Sequence, residues 1–311
     1  MKVALITAEE SAIPQETAAA IRSAGLDLVC RECHTQAELL EIAADAEILW
    51  MFGENHVVTA EVLELLPECR ALFRSGSGVD ALPVKRATEL GIAVCNTPES
   101  IAESVAEHTM ALLLALVRQV PFCDREVRDG FWNSSGKRVK WHLAGRTLGL
   151  VGYGRIARHV QQMAAGFGMN VIYHDPTGTS SLPLEELLGK SDFVSLHCPL
   201  LPATYHLMGT KQFKMMKPGA LLINTSRGAI VDEDSLVEIL TCGHLGGAAL
   251  DVTEAEPPPS DHPLLKLDNV IITPHMAAFS ADFEKNFWSC SVVKLAELSR
   301  GNFIESSMNL K

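Results

Sequence analysis

Three short segments carry side chains that could act together on a carbonyl group. Asn224-Thr225-Ser226-Arg227-Gly228 supplies a guanidinium, and Leu250-Asp251-Val252-Thr253-Glu254-Ala255-Glu256-Pro257 supplies carboxylates. Thr273-Pro274-His275 supplies an imidazole. A guanidinium can grip a carboxylate with two parallel hydrogen bonds and polarise a neighbouring oxo group. An imidazole, with an ordinary pKa of about 6.5, can give an alkoxide its proton. A carboxylate beside it, the role open to Glu256, favours the charged ring. Hydride transfer to a 2-oxo acid needs such a set. Taken singly, each residue fits a simpler account: Arg227 a surface ion pair, Glu256 the start of a solvated proline loop, Pro274-His275 a turn. Their shared position, each just past an apolar run that reads as a strand, points to a site.

A second constellation concerns a cofactor. Val151-Gly152-Tyr153-Gly154-Arg155-Ile156-Ala157 follows an apolar run at 147–151 and opens a segment, 155–167, that reads as a helix. The first glycine makes the tight turn. The second lets a pyrophosphate approach the helix N-terminus, where N–H groups and the dipole favour an anion. Ala157 fills the third, small position. Asp175 ends a second apolar run, 170–174. It can accept from both hydroxyls of a ribose and would repel a 2′-phosphate. No arginine follows it in His174-Asp175-Pro176-Thr177, so NAD is favoured over NADP.

The surrounding pattern supplies the frame. Up to residue 96, short apolar runs alternate with amphipathic stretches. Strands are predicted at 3–6, 28–30, 48–52, 71–74 and 93–95, with helices at 14–24, 36–44, 59–66 and 82–90. Arg74-Ser75-Gly76-Ser77-Gly78 follows the fourth of these strands and can present backbone N–H groups to an anion, although a plain strand-to-helix turn has the same composition. A long buried helix is predicted at 101–120, stopped by Pro121. His108, on its polar face, reads as a packed or surface residue rather than a ligand. Residues 124–140 read as a polar excursion. A second series of strands follows at 147–151, 170–174, 193–197, 220–224, 248–250 and 270–273, and a final helix at 280–299. The fold class expected is α/β, with two doubly wound parallel-sheet domains: a Rossmann NAD domain and a smaller flavodoxin-like domain.

Bulk properties narrow the partners. A chain of 311 residues suggests two domains. The net charge of −12, from 26 basic and 38 acidic residues, argues against nucleic acid or an anionic membrane as partner. Residues 1–7 do not read as a signal peptide, and the longest apolar run, 110–117, is too short to span a bilayer. A cytoplasmic protein with reduced cysteines is expected. Cys30-Arg31-Glu32-Cys33-His34 matches a haem-attachment spacing and contains a CxxC. It lacks export and further metal ligands, and reads as coincidence, so no metal is expected.

The chain resembles the D-isomer-specific 2-hydroxyacid dehydrogenases. The stretches that carry the resemblance are RSGSGVD (74–80), NTPESIAESVAEH (96–108), GRTLGLVGYGRIA (145–157), DFVSLHCPL (192–200), MKPGALLINTSRGAIVDE (216–233), GAALDVTEAEP (247–257) and TPH (273–275). The resemblance implies catalysis by Arg227, Glu256 and His275. It implies NAD contacts from Gly152, Gly154, Arg155 and Ile156, from Asp175 on the ribose, and from the Cys198 backbone. Thr225, Ser226 and Asp251 would line the nicotinamide side, with Asp251 accepting from the carboxamide. Ser75, Gly76, Ser77 and Gly78 would hold the substrate carboxylate, with Arg74 beside them. It further implies a discontinuous substrate domain, 1–98 with 283–311, and an NAD domain at 99–282 carrying a dimerisation arm near 121–142, hence a homodimer. The partner expected is a small 2-oxo or 2-hydroxy acid.

Two departures weaken a 3-phosphoglycerate assignment. No Lys or Arg stands in Trp50-Met51-Phe52-Gly53-Glu54, where phosphoglycerate dehydrogenases carry a basic residue, and no regulatory domain follows within the sequence. Trp50 and Phe52 suggest either an apolar pocket wall or a buried strand. Phe279-Ser280 also departs from relatives, which often carry small residues and a threonine there. The alternatives are 3-phosphoglycerate dehydrogenase activity and a non-catalytic NAD-sensing interaction protein on the same scaffold, and the intact Arg–Glu–His set speaks against the second.

Overall fold

The computed structural model describes residues 1–53, 56–132 and 141–310. It divides into two compact units, Met1–Ile101 with Ser280–Lys311, and Ala102–Phe279.

The first unit opens with β1 (Lys2–Leu5), α1 (Gln15–Ser23), β2 (Asp27–Cys30) and α2 (Gln36–Ala43). It continues with β3 (Ile48–Met51), α3 (Ala60–Leu63), β4 (Ala71–Arg74), α4 (Val84–Glu89) and β5 (Ala93–Asn96). Its five strands are parallel in the order β2-β1-β3-β4-β5. β3 is buried along its whole length, as expected of a strand covered on both faces. Trp50 is fully buried there and stacks on Phe73 at 6.2 Å, which decides for the buried-strand account of that residue. Glu54 of the matching region lies outside the described residues.

The second unit begins with α5 (Ala102–Arg118), α6 (Val120–Arg128), β6 (Thr147–Val151), α7 (Arg155–Gly166) and β7 (Asn170–His174). Then come α8 (Leu184–Lys190), β8 (Phe193–Leu196), α9 (Thr210–Met215), β9 (Leu221–Asn224), α10 (Glu233–Thr241), β10 (Gly247–Leu250) and β11 (Val270–Ile272). Its six parallel strands run β11-β10-β9-β8-β6-β7. From β6 the chain winds one way to β7 and the other way through β8, so the switch point lies between β6 and β8, where open α/β sheets bind ligands. Two further helices, α11 (Phe283–Ser299) and α12 (Phe303–Ser306), belong to the first unit, where Leu295, Leu298 and Phe303 enter the core beside Trp50 and Phe73.

One expectation is corrected. Pro121 does not stop the long helix. α5 ends at Arg118, Gln119 turns left-handed with φ 55°, and Pro121 lies in the first turn of α6. A missing N–H is harmless there, because first-turn donors have no partner in the helix. The predicted polar excursion from Asp124 is therefore helical as far as Arg128. Residues 133–140 of the expected arm lie outside the described residues.

Candidate active site

The glycine turn after β6 is shaped by what it touches. Gly152 has φ +89°, and a Cβ there would lie 2.6 Å from the Cys198 nitrogen and 2.7 Å from the His197 carbonyl carbon. The turn after β6 thus rests directly on the backbone that follows β8, across the switch point. Gly154 is different: a Cβ there would meet nothing within 4 Å, and it caps α7 with no side-chain hydrogen bond. α2 and α10, by contrast, are closed by Thr35 and Asp232. An open space beside uncapped first-turn N–H groups, including those of Arg155 and Ile156, fits a pyrophosphate.

Asp175 stands at the tip of β7. Its Oδ2 accepts from Tyr153 N at 2.9 Å, and its Oδ1 accepts from Thr177 N at 2.9 Å and Thr177 Oγ1 at 2.7 Å. The Thr177 hydroxyl first, then the N–H groups of Thr177 and Tyr153, hold this carboxyl below the ordinary range despite its partial burial. A carboxylate offers about four acceptor positions and three are used here, so one remains for a ribose hydroxyl, on Oδ2.

Around the strand ends of β9, β10 and β11 the candidate catalytic groups are braced by one another's backbones. Asn224 is fully buried and binds both sides of its own loop, accepting from Ser226 N at 3.0 Å and donating to Arg227 O at 2.9 Å. Ser226 Oγ donates to Cys198 O at 2.5 Å. Arg227 is half-buried, and its Nη1 donates to Ser226 O at 2.8 Å. A Cβ on Gly228 would lie 2.0 Å from the carbonyl carbon of Thr253, so the arginine loop sits directly on the turn that leads to Glu256. Glu256 Oε1 accepts from Thr253 N at 3.2 Å, while its Oε2 lies 2.7 Å from His275 Nδ1. A carboxylate can only accept, so the ring proton sits on Nδ1 and Nε2 is left for chemistry.

His275 has φ +48°, a left-handed conformation that costs a non-glycine residue about 1–2 kcal/mol. Its N–H is shared between Asp251 O at 2.7 Å and Thr273 O at 3.0 Å. The Asp251 side chain completes the restraint: Oδ1 accepts from Thr273 Oγ1 at 2.5 Å and Met276 N at 3.0 Å, and Oδ2 accepts from Ala277 N at 2.8 Å. Each such bond contributes about 0.5–1.5 kcal/mol net, so together they outweigh the strain. Burial alone would raise the Asp251 carboxyl, but hydrogen bonds from His108, Thr273, Met276 and Ala277 hold it below the ordinary range. With 1% exposure, Asp251 serves the turn that carries His275.

His108 is the residue the sequence undervalues. Its Nε2 lies 3.1 Å from Thr273 Oγ1 and 3.4 Å from Asp251 Oδ1. Thr109, beside it, lies 2.9 Å from Thr225 through their hydroxyls. Both pairings join residues more than a hundred positions apart, 165 and 116, which no local period announces.

In the first unit, the loop after β4 is partly closed to ligands. Ser75 N donates to Met51 O at 3.0 Å, and Gly76 N donates to Thr97 Oγ1 at 2.9 Å. Ser75 Oγ is buried between Trp50 Nε1 and Ser291 Oγ. The N–H groups of Ser77 and Gly78 make no hydrogen bond among the described residues, so two of the four expected donors are open. Arg74 is built inward: Nη1 donates to Gly78 O at 2.6 Å and Nη2 to Gly53 O at 3.0 Å. The cysteine pair at 30 and 33 has no reactive thiolate character, because burial first, then the charge of Glu10, pushes the Cys30 thiol up to about 11.

An open glycine turn at a switch point, followed one strand over by an acid at the tip of β7, is the pattern of dinucleotide-binding folds. Comparison with known proteins agrees. The family profile "D-isomer specific 2-hydroxyacid dehydrogenase, NAD binding domain" matches residues 110–277. The chain is 42% identical over 269 residues to a glyoxylate reductase of Korarchaeum cryptofilum, covering 81% of this chain and 80% of that one. It is 40% identical over 287 residues to a D-3-phosphoglycerate dehydrogenase of Methanocaldococcus jannaschii, covering 89% of this chain but spanning only about half, 54%, of that relative. A solved D-lactate dehydrogenase from Aquifex aeolicus, complexed with NAD and lactic acid, superposes with a TM-score of 0.83 at 27% identity, over 99% of both chains. The chain belongs to the D-isomer-specific 2-hydroxyacid dehydrogenases, NAD-dependent oxidoreductases that act on CH–OH groups.

Proposed function

We propose that this chain works mainly as a reductase of a small 2-oxo acid, with Arg227, Glu256 and His275 as its catalytic residues. The 2.7 Å bond between His275 Nδ1 and Glu256 Oε2 carries this reading. It leaves Nε2 as the one ring nitrogen that can exchange a proton with substrate. NADH, when bound, supplies the hydride. Arg227 grips the substrate carboxylate and polarises the oxo group, and His275 Nε2 gives its proton to that oxygen as charge develops on it. Glu256 keeps the imidazole in one tautomer and offsets its positive charge. The Ser77 and Gly78 N–H groups also hold the substrate carboxylate. Arg74 braces their loop with two of its five N–H donors, to Gly78 O and Gly53 O.

Gly152, Gly154, Arg155 and Ile156 would hold the NAD pyrophosphate and Asp175 the adenosine ribose. The Cys198 backbone would also contact NAD, and Thr225, Ser226 and Asp251 would line the nicotinamide side. The first unit is the substrate domain and the second the NAD domain. We also infer a homodimer formed through α6, where Val120 and Val127 are exposed and Phe131 and Trp132 follow, also exposed. A cytoplasmic location suits the eight free cysteines.

The test is NADH oxidation with glyoxylate, hydroxypyruvate, pyruvate, phenylpyruvate and 3-phosphohydroxypyruvate, then Arg227→Gln and His275→Ala on the best substrate. Each variant should lose about 10²–10⁴-fold in kcat/KM while retaining NADH binding. Near-wild-type turnover in either variant would show the roles to be misassigned. Protein that binds NADH but reduces none of the five acids would favour an NAD-sensing role.

A further inference from the structure

We propose that α5 sets the relative placement of the two catalytic strand ends, with His108 and Thr109 as positioning residues. The inference rests on the catalytic reading of Arg227 and His275 given above. Adjacent residues on one helix reach two different strand ends. Thr109 Oγ1 donates to Val105 O, one turn back, at 2.8 Å, and lies 2.9 Å from Thr225 Oγ1. A hydroxyl has one proton to give, so Thr225 is the donor between them. Thr225 stands two residues before Arg227.

The second contact has the same logic. Thr273 commits its proton to Asp251 Oδ1 at 2.5 Å, so the 3.1 Å contact with His108 must use a proton on His108 Nε2. That nitrogen also faces Asp251 Oδ1 at 3.4 Å. Thr273 stands two residues before His275. The chain is therefore pinned to α5 just ahead of each catalytic side chain.

These contacts are not what docks the helix. Met110, Leu112, Leu113, Leu116 and Val117 of α5 are buried in the apolar core with Ile223 of β9 and Ala249 of β10. That apolar face already fixes α5 on the sheet. What the polar pair adds is the placement of two loops along it. One of those loops holds His275 in a left-handed conformation that must be imposed from outside. A helix that fastens both loops makes the distance from guanidinium to imidazole a property of one rigid element.

The experiment compares Thr109→Val with Thr109→Ser, and His108→Leu with His108→Gln, in the full-length enzyme on the best 2-oxo acid. The first of each pair removes the polar atom, and the second keeps an O–H or an N–H. Thr109→Val and His108→Leu should each lower kcat about tenfold to a hundredfold, the scale of a sub-ångström to ångström misplacement of reacting groups, with little change in NADH affinity. The primary isotope effect with NADH deuterated at the transferred position should rise, because the chemical step becomes slower relative to release. Thr109→Ser and His108→Gln should recover most of the activity. Wild-type kcat in Thr109→Val and His108→Leu would overturn the proposal. So would conservative variants as impaired as the apolar ones, since the polar atoms would then not matter. If an apolar variant fails to fold, its conservative partner still decides, because it must be both folded and active. Failure of the catalytic reading is separate, and appears as activity retained in Arg227→Gln or His275→Ala.

Discussion

Both units of this chain are parallel sheets wound in two directions from a central strand, yet their first strand-to-helix turns have opposite chemistry. In the first unit, the turn after β1 runs Ile6-Thr7-Ala8-Glu9-Glu10. Glu9 Oε1 accepts from Glu32 N at 3.3 Å, and Glu10 pairs with Arg22 at 2.5 Å. Two carboxylates thus stand in the turn itself, tied to the β2 end and to α1. In the second unit, the matching turn holds Gly152 and Gly154, and the acid is moved to the far end of β7, as Asp175. One charge pattern repels a pyrophosphate, and the other leaves it a gap and then offers its ribose an acceptor. Topology creates a switch point in both sheets. Side-chain volume and charge at a few positions decide which one can take a dinucleotide.

The sharpest way to break that comparison is at the two glycines. Gly152→Ala forces a methyl to within 2.6 Å of the Cys198 nitrogen at a left-handed φ. Overpacking and backbone strain together should cost about 2–5 kcal/mol of stability, seen as a lower urea midpoint, and NADH affinity should fall with it. At Gly154 the added methyl meets no protein atom. Gly154→Ala should therefore stay within about 1 kcal/mol of wild type in stability. Its NADH affinity should drop about tenfold or more, at least about 1.4 kcal/mol, because only the ligand would meet the methyl. Unchanged NADH affinity in Gly154→Ala would mean that the gap beside Gly154 is not a ligand's.

The same contrast explains what could be read before any coordinates. β4 and β6 have the bounds that their apolar runs suggest, because a strand covered on both faces is a continuous apolar run, and β7 keeps its predicted bounds although it is a half-exposed edge strand. The pairing of Glu256 with His275 was legible because both follow such runs. α6 was not: a proline, two acids and two arginines over 121–128 look like a loop until the proline is seen as a first-turn residue. The expected helix at 59–66 shrinks to Ala60–Leu63, because the next residues tighten into i→i+3 turns, Leu65 N to Val62 O and Leu66 N to Leu63 O, ahead of Pro67. His108 and Thr109 were illegible for a deeper reason. Their meaning lies in Thr273 and Thr225, and helical periodicity marks them only as points on a surface.

A middle-sized effect probes the strand end that Gly152 rests on. Burial pulls the His197 imidazole down to about 4, and Ser195 Oγ lies 2.9 Å from its Nε2. In the unfolded chain the ring takes up a proton near about 6.5. Between these values the unfolded state binds more protons, so stability is full above about 6.5 and falls as the pH drops toward about 4. Going from about pH 7.5 to about pH 5 should cost up to about 2 kcal/mol from this group, an upper bound because the ring is partly exposed. The strands of the first unit contain no histidine and have no counterpart to this effect. Urea midpoints at the two pH values should move less in His197→Gln than in wild type. Parallel shifts would remove His197 from the acid response.

The smallest effect is expected where the first unit keeps its carboxylates. Glu9→Gln with Glu10→Gln removes the repulsion at the turn after β1, and exposed ion pairs such as Glu10–Arg22 contribute little. The urea midpoint should stay where it is. If charge alone excluded a dinucleotide from the first unit, this double variant would gain a second NADH per chain. The expected outcome is no gain, because the turn has no glycine to let a pyrophosphate reach backbone N–H groups, and a short 3-10 turn at Glu10–Ala12 stands between it and α1. A rise in NADH bound per chain, measured by calorimetry, would show that charge outranks backbone shape in choosing between two sheets of one plan.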